Sequence, residues 1–253
     1  LGDAGDLSVA IDYFDIEIDN GVDQAGTLNI LPRCYDDPNF ATDGPFCKLV
    51  TRTAGAPYSL TVSNAYTNIA TQIAEGIDYT IRYQRDLGPG SVRVNALATH
   101  YDSQANKLFE DDNLDELNGS LNNPENTANL ELSYTLRNWR FLWGVDWIDD
   151  MESYTVIRAD ATPATLAATE AALAVRDLAV GDYQEHYMSV RYSTDRWQVT
   201  GGLRNVFDAE PPTISQGFNN RVGNAPLYSG YDYFGREAFF QAVFRLGENG
   251  GGN

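Results

Sequence analysis

The sequence predicts an all-β fold, an antiparallel sheet of about eight strands of the type found in transmembrane β-barrels. Two observations carry this prediction. Apolar and polar residues alternate over long stretches, which places each set on its own face of a strand. Aromatic side chains make up 12% of the 253 residues, a composition typical of strands. A third observation, the alternation of short and long connections, predicts how the strands are joined.

The alternation is clearest between residues 127 and 147. Ala128, Leu130 and Leu132 share one face of the first strand there, and residues 139–147 repeat the pattern in the next strand. The predicted strands are longer than the usual ~5–6 residues. They fall at 7–18, 77–84, 92–99, 127–137, 139–147, 185–192, 197–207 and 237–246.

The connections between these strands alternate in length. Three are tight and carry turn residues, and four are long. The tight ones lie at 87–90, 137–138 and 194–196, and the long ones at 19–66, 104–126, 151–182 and 208–234. In an antiparallel meander, alternation of this kind places every short turn at one end of the sheet and every long loop at the other.

The apolar face of the strands is typical of a lipid-facing surface. Trp139 and Trp147 lie near its two ends, ~20 Å apart once a strand tilt of ~40° is allowed for, close to the ~25 Å apolar band of outer-membrane barrels. Small residues such as Ala96 and Ala98 share this face and would leave holes in a soluble core. The polar face, with arginines and carboxylates, is then predicted to line the lumen. Because no stretch offers ~18 consecutive apolar residues, a helical membrane protein is excluded.

Charge and histidine content exclude two further classes of function. Seventeen basic residues against 36 acidic ones leave a net charge of −19, so the surface repels phosphate and nucleic acid is excluded as a partner. His100 and His186 have no Ser or Cys nucleophile at a recognisable spacing. We therefore expect no enzymatic activity, no catalytic residue and no cofactor.

Two cysteines, Cys34 and Cys47, lie in a polar segment punctuated by prolines. They are either two unrelated buried thiols or a disulfide. The acidic and proline residues around them mark an exposed loop, where free thiols are a liability, so a disulfide is favoured. A disulfide indicates an oxidising compartment and stabilises the loop by on the order of 3 kcal/mol.

Acidic residues near the cysteines raise the question of a metal site. Asp36, Asp37 and Asp43 are weak candidates for calcium, as are residues 110–115, because calcium prefers clustered oxygen ligands. The EF-hand spacing is absent, and a solvated acidic surface is the default interpretation. No metal site is assigned.

Two other segments stand apart from the strand pattern. Residues 162–180 have the pattern of a helix inside a long loop, with Pro163 suited to its first turn. Such a helix either packs within its loop or forms a lid, and simple packing is favoured. Residues 247–253 are rich in Gly and Asn and are predicted to be a frayed tail.

Several motifs resemble those of TonB-dependent outer-membrane receptors. Gly202 to Asp208 followed by Glu210-Pro211-Pro212 resembles the penultimate strand of that family, and Gly223 to Pro226, Tyr231-Asp232 and Gly235-Arg236 lead into the final strand in the family's order. Further matches upstream extend the resemblance over residues 7–246. They are Asp12 to Ile16, the segment between the two cysteines, Arg52 and Gly76 to Tyr79.

The resemblance implies that residues 1–246 are the C-terminal portion of a receptor barrel, which in this family has roughly 22 strands around a plug. It implies short turns on the periplasmic side, long extracellular loops, and a location in the outer membrane of a Gram-negative bacterium. The implied partners are outer-membrane lipid and lipopolysaccharide, the plug and N-terminal strands of the receptor, and TonB through a segment outside these residues.

The function implied by the resemblance is active uptake of a scarce nutrient: a siderophore, cobalamin, an oligosaccharide or a peptide. Two alternatives stay open: a self-contained eight-stranded outer-membrane barrel with a structural or adhesive role, and a soluble ligand carrier. The polar face has glycines at 144 and 202, which are read as gaps that make a filled small barrel awkward. The candidate ligand-binding residues are Tyr101, Asp146, Phe218, Asn219, Arg221, Tyr228 and Tyr231.

Overall fold

The computed structural model describes residues 4–40, 44–153, 171, 175–215 and 221–246. Their helices are α1 (Thr27–Tyr35) and a 3-10 turn at Phe46–Leu49. The strands are β1 (Asp6–Gln24), β2 (Val50–Arg52), β3 (Leu60–Val62), β4 (Tyr66–Leu87), β5 (Gly90–Lys107), β6 (Asp115–Glu116), β7 (Asn126–Leu136), β8 (Trp139–Ile148), β9 (Met151–Glu152), β10 (Ala179–Val180), β11 (Tyr183–Ser193), β12 (Trp197–Arg204), β13 (Arg221–Val222), β14 (Ala225–Pro226) and β15 (Glu237–Phe244).

The main sheet has the order β1-β4-β5-β7-β8-β11-β12-β15, and the two-residue strand β6 pairs with β5. Each long strand is therefore the sheet neighbour of the long strand before it, as expected of a meander. The predicted all-β antiparallel fold and its eight long strands are confirmed. Among the described residues the sheet is open, with β1 and β15 as its two edges.

Turn chemistry explains the short connections. Gly88 takes a φ of 60° between β4 and β5, a left-handed conformation that glycine adopts at little cost. Short turns also join β7 to β8 and β11 to β12, at the predicted positions. The predicted segregation of short turns and long connections is confirmed, because consecutive antiparallel strands bring all the short turns to the same end of the sheet.

Contacts divide the chain into two compact units. The first comprises Leu1–Phe14, Glu75–Ser103 and Leu117–Asn253. Beyond the strands it contains a small apolar core contributed by its long connections. The residues of this loop core are Leu121, Met151, Val180, Tyr183, Ile214 and Tyr231.

The second unit comprises Asp15–Ala74 and Gln104–Glu116. Its helix α1, which the sequence pattern did not predict, begins after Gly26, whose N–H donates to Asn64 Oδ1 at 2.8 Å. Ile30 and Cys34, four residues apart on one face of α1, are fully buried with Val50 and Phe109. Within the described ranges, no helix combines the length and apolarity needed to cross a membrane.

The two faces of the sheet differ as the alternation predicts. On one face large apolar side chains are exposed, including Trp139 at 45%, Phe141 at 44% and Trp197 at 52%. A shallow depression of about 410 Å³ lies on this face and includes Trp143 and Leu203 in its lining. The opposite face carries the polar and charged side chains of the same strands. We call them the apolar face and the polar face.

The predicted gaps on the polar face are filled, which corrects the sequence interpretation. Gly144 lies opposite Tyr187, and Gly202 lies opposite Phe239. Each aromatic ring occupies the space that a side chain on the facing glycine would need. A Cβ at Gly202 would stand 2.5 Å from the carbonyl oxygen of Met188 and 2.5 Å from the Phe239 ring. The glycines are therefore places where rings from the next strand lie against the backbone.

This packing makes Gly202 intolerant of even a methyl group. We expect Gly202→Ala to lower the free energy of unfolding by about 1–3 kcal/mol, because the new methyl overlaps a backbone oxygen that has nowhere to move. The matched control is Gly201→Ala, since a Cβ there meets its nearest atom at 3.9 Å. Thermal unfolding of each variant of the complete receptor, purified from the membrane, measures the change in stability. Equal unfolding temperatures for the two variants would contradict the interpretation.

Two predicted segments extend beyond the described residues. Of the predicted helix at 162–180, only 171 and 175–180 are described, and its last two residues form β10 instead. Ala179 and Val180 pair with Glu152 and Met151, which buries Val180 in the loop core. The predicted tail at 247–253 lies outside the described residues.

Candidate functional site

A polar recess of about 400 Å³ lies on the polar face of the first unit. Strand register creates it: Glu185 of β11 stands directly opposite Asp146 of β8, and Arg204 of β12 stands opposite Glu237 of β15. Period-two alternation places the side chains on one face. The recess is lined by Asp146, Glu185, Tyr187, Met188, Ser189, Arg204 and Phe239.

Hydrogen bonds connect one side of the recess across three strands. Asn129 of β7 donates to Asp146 Oδ1 at 2.6 Å and to the Tyr187 hydroxyl at 3.1 Å. The Tyr187 hydroxyl in turn donates to Glu131 Oε1 at 3.2 Å. These bonds hold the Tyr187 ring over Gly144. Asp146 is oriented with lone pairs left for a second donor.

The other side of the recess combines an arginine with an aromatic ring. The Arg204 guanidinium carbon lies 6.0 Å from the centroid of the Phe239 ring, which covers Gly202. Carboxylate acceptors, guanidinium donors and a ring face thus surround one volume. This combination suits a polar ligand that offers both hydrogen-bond donors and a flat surface for stacking.

The predicted ligand residues do not form one cluster. Asp146 lines the recess, whereas Tyr101 of β5 packs edge-on against Phe14 of β1, with ring centroids 5.7 Å apart. Phe218 and Asn219 lie outside the described residues. The sequence analysis missed Glu185, Tyr187 and Arg204, although their alternation with apolar neighbours on β11 and β12 placed them on the polar face.

The remaining three predicted ligand residues lie in the long connection before β15. Arg221 donates to the Ile214 carbonyl at 2.8 Å and to Asn224 Oδ1 at 3.0 Å, so its guanidinium supports the connection. Tyr228 is 77% exposed. Tyr231 is only 5% exposed, because its ring packs against Tyr183 in the loop core, and this burial raises the pKa of the Tyr231 hydroxyl.

The second unit is built around the predicted disulfide. Cys34 at the end of α1 is bonded to Cys47, with their Cα atoms 4.7 Å apart, so the favoured alternative is confirmed. Arg52 lies beside this bridge. Its guanidinium carbon stands 5.1 Å from the Tyr35 ring centroid and 5.6 Å from that of Phe40, and those two rings are themselves stacked.

Arg33, in the last turn of α1, ties the same unit together. Its guanidinium carbon lies 4.1 Å above the Phe109 ring, and its Nη1 is 2.9 Å from Asp111 Oδ2. Nη2 contacts the carboxylate of Asp112. The hydrogen bond from Arg33 lowers the pKa of Asp111 below its usual value. Sequence reasoning missed this contact, because nothing local to residue 33 indicates a partner 78 positions away.

Four of the calcium candidates are engaged within the protein or lie outside the described part. Asp37 accepts the N–H of Asn39 at 2.6 Å, Asp111 and Asp112 bind Arg33, and Asp43 lies outside the described residues. Asp36 stays exposed at the C-terminal end of α1. Among the described residues, no group of three His, Cys, Asp or Glu side chains is placed to hold a metal ion.

The fold agrees with a comparison of the sequence with protein-family models. The family model of TonB-dependent-receptor-like β-barrels matches residues 1–206, well over half of the chain. The chain belongs to the TonB-dependent receptor β-barrel family. Proteins of this family are transporters and not enzymes, in agreement with the sequence analysis. No curated protein matches the chain.

Two solved TonB-dependent receptor structures are similar in fold. One is FpvA of P. aeruginosa in complex with iron and a heterologous pyoverdine, at 16% identity and a TM-score of 0.45. The other is the complex of FpvAI with pyocin S2, at 17% identity and a TM-score of 0.47. Each comparison covers 94% of this chain and 24% of the receptor chain, so the chain spans about a quarter of the length of these receptors.

In transmembrane barrels the apolar face meets lipid and the polar face meets the lumen. In this chain Trp139, Phe141 and Trp197 lie on the apolar face, and Asp146 and Glu185 lie on the polar face.

Proposed function

We propose that this chain is the C-terminal wall of an outer-membrane receptor that takes up a scarce nutrient with energy delivered through TonB. The observation that carries the proposal is the pairing of an exposed apolar face with a polar face that holds a connected recess, within a member of this family. In this proposal residues 1–246 are the C-terminal portion of the barrel. The complete receptor also contains the plug, the earlier strands and the segment that contacts TonB. The small-barrel alternative has less support, because the described sheet is open.

The proposed setting is the one that the family resemblance implies. The short turns after β4, β7 and β11 face the periplasm, and the long connections face the cell exterior of a Gram-negative bacterium. Outer-membrane lipid covers the apolar face, and lipopolysaccharide surrounds the exterior loops. The recess then lies in the lumen, on the path of a ligand that enters from outside.

The recess favours a polar nutrient. Asp146 and Glu185 offer carboxylate oxygens to hydroxyl or amine donors, and Phe239 offers a ring face for stacking. The chain's net charge of −19 disfavours polyanions. These requirements can be met by a siderophore, by cobalamin, by an oligosaccharide or by a peptide. We propose that the recess contacts whichever of these nutrients the receptor carries.

The proposal is tested in the complete receptor by uptake under nutrient limitation. Cells that depend on this receptor are supplied in turn with a labelled ferric siderophore, cobalamin, an oligosaccharide and a peptide. For the nutrient taken up, we expect Asp146→Asn combined with Glu185→Gln to lower uptake at limiting concentration by about 10–100-fold, because a hydrogen bond to a charged group contributes about 1.5–3 kcal/mol.

The matched control is Asp195→Asn, the same chemical change in the short turn after β11. It is expected to leave uptake unchanged at equal surface amounts of receptor. If the double variant took up the nutrient at the wild-type rate, the recess would not lie on the transport path. If uptake of none of the four nutrients depended on the receptor, the proposed uptake function itself would be contradicted.

A further inference from the structure

The two sulfurs of the Cys34–Cys47 bridge differ in how far solvent can reach them. Cys34, in the last turn of α1, is 0% exposed, whereas Cys47, in the 3-10 turn, is only partly buried. A reagent in solution therefore reaches the bridge from the side of Cys47. Because a thiolate attacks one sulfur of a disulfide and expels the other, this difference in access makes Cys34 the leaving group.

An arginine stands beside the sulfur that would leave. Arg52 Nη2 lies 3.8 Å from Cys34 Sγ, close enough to donate a hydrogen bond to sulfur. The guanidinium is held in place, because its Nε donates to the Tyr35 hydroxyl at 3.4 Å and its carbon lies over the Tyr35 and Phe40 rings. A fixed cation in this position stabilises a thiolate that forms on Cys34.

The surroundings of Cys47 have the opposite character. Cys47 Sγ lies 3.0 Å from the carbonyl oxygen of Cys34. The Asp37 carboxylate is a near neighbour too, since a Cβ on Gly44 would stand 3.2 Å from Asp37 Oδ2 and 3.2 Å from Cys47 Sγ. Lys48 follows in the chain but is exposed, so solvent and salt weaken its effect on the sulfur. Negative charge is therefore accommodated better on Cys34 than on Cys47.

The position of Cys34 in the helix makes the arginine necessary for this difference. In the last turn of α1 the negative end of the helix dipole disfavours an anion. Without a cation nearby, Cys34 would be a poor leaving group, because a thiol with a higher pKa leaves more slowly. The contact between Arg52 and Cys34 Sγ opposes the effect of the helix end.

We propose that Cys47 is a site of reversible S-thiolation by small thiols, with Cys34 as the leaving group. The thiolate of the small thiol attacks Cys47 Sγ and forms a new S–S bond there. The bond between the two cysteines breaks, and Cys34 Sγ takes its electron pair and becomes a thiolate beside Arg52. One disulfide is lost and one is formed, so the exchange needs no other oxidant or reductant.

The exchange separates the end of α1 from the 3-10 turn, and attack by Cys34 on the mixed disulfide restores the bridge. S-thiolation of Cys47 is thus a reversible way to release the cross-link of the second unit. This proposal does not rest on the proposed function, because it uses only contacts within the second unit.

The first test identifies the cysteine that receives the thiol. The complete receptor, folded in detergent, is treated with excess glutathione, quenched in acid at a series of times and alkylated with N-ethylmaleimide in urea. Trypsin releases residues 34–48 as one peptide, and its fragment ions locate each group. We expect glutathione on Cys47 and N-ethylmaleimide on Cys34, with the reverse pattern at least ~10-fold rarer. Equal amounts of the two patterns, glutathione mainly on Cys34, or no mixed disulfide would overturn the proposal.

The second test shows whether Arg52 acts on the leaving group. Arg52→Met removes the charge and keeps a long side chain, so glutathione should open the bridge about 3–10-fold more slowly than in the wild type. If Arg52 only supported the packing of the second unit, its loss would loosen the bridge and speed up the reaction. An unchanged or faster reaction of Arg52→Met would therefore contradict the proposal.

The matched control is Arg33→Met, the same chemical change in the same unit. The Arg33 guanidinium is engaged by the Phe109 ring and by Asp111 instead of by a sulfur. This variant is expected to react with glutathione at the wild-type rate or faster, since it loses packing alone. If it slowed as much as Arg52→Met, the effect of Arg52 would not be specific to the leaving sulfur and the proposal would fail.

Discussion

Residues 1–253 expressed alone are expected to aggregate or to be degraded, whereas the complete receptor proposed above is expected to insert into the outer membrane. The reason is the open sheet: β1 and β15 are edges, and their outward N–H and C=O groups have no strand partner among the described residues. In the hydrocarbon region each unsatisfied backbone group costs several kcal/mol. An edge as long as β1, with 19 residues, therefore cannot stay exposed to lipid.

The measurement is heat-modifiable migration of the membrane fraction on a gel, in which only a folded barrel changes mobility on boiling. The matched control supplies the rest of the proposed receptor as a separate chain in the same cells. Folded material is expected only in that co-expression and in the complete receptor. A monodisperse, heat-modifiable monomer from residues 1–253 alone would contradict the prediction and promote the self-contained small barrel.

Removing the disulfide is expected to destabilise the second unit selectively. Cys34 and Cys47 close a loop of 13 positions, and cross-links of this span contribute on the order of 3 kcal/mol. In the complete receptor, the second unit of the Cys34→Ser, Cys47→Ser double variant should therefore open locally about 100-fold more often than that of the wild type. Trypsin cleavage after Lys48 and Arg52 reports that opening, because cleavage follows the population of the open form when reclosing is fast.

The first unit provides the internal reference for this experiment. Cleavage after Arg137, in the short turn between β7 and β8, should be unchanged in the double variant. Reduction of the wild-type protein should reproduce the faster cleavage after Arg52, and reductant should have no further effect on the variant. Equal cleavage after Arg52 with and without the bridge would show that the Arg33 and Arg52 contacts alone hold the unit together.

The sequence by itself determined the eight long strands, their faces and the disulfide. Period-two alternation over residues 127–147 is a local property of the chain, and it assigns a face to every residue once the segment is a strand. Cys34 and Cys47 are close in sequence within a segment of acidic and proline residues. The prediction of their pairing was therefore also based on local composition. The family resemblance rested on motifs that are likewise contiguous.

Only the tertiary structure decided what lies against each side chain. The rings of Tyr187 and Phe239 cover Gly144 and Gly202 because of strand register, which the pattern of one strand does not contain. Tyr231 is an aromatic residue of the kind expected to contact a ligand. It is nevertheless buried in the loop core, because connections far apart in the sequence meet around it. Such contacts join residues far apart in the chain and depend on the packing of the whole fold, whereas alternation depends only on which way successive side chains point from one strand.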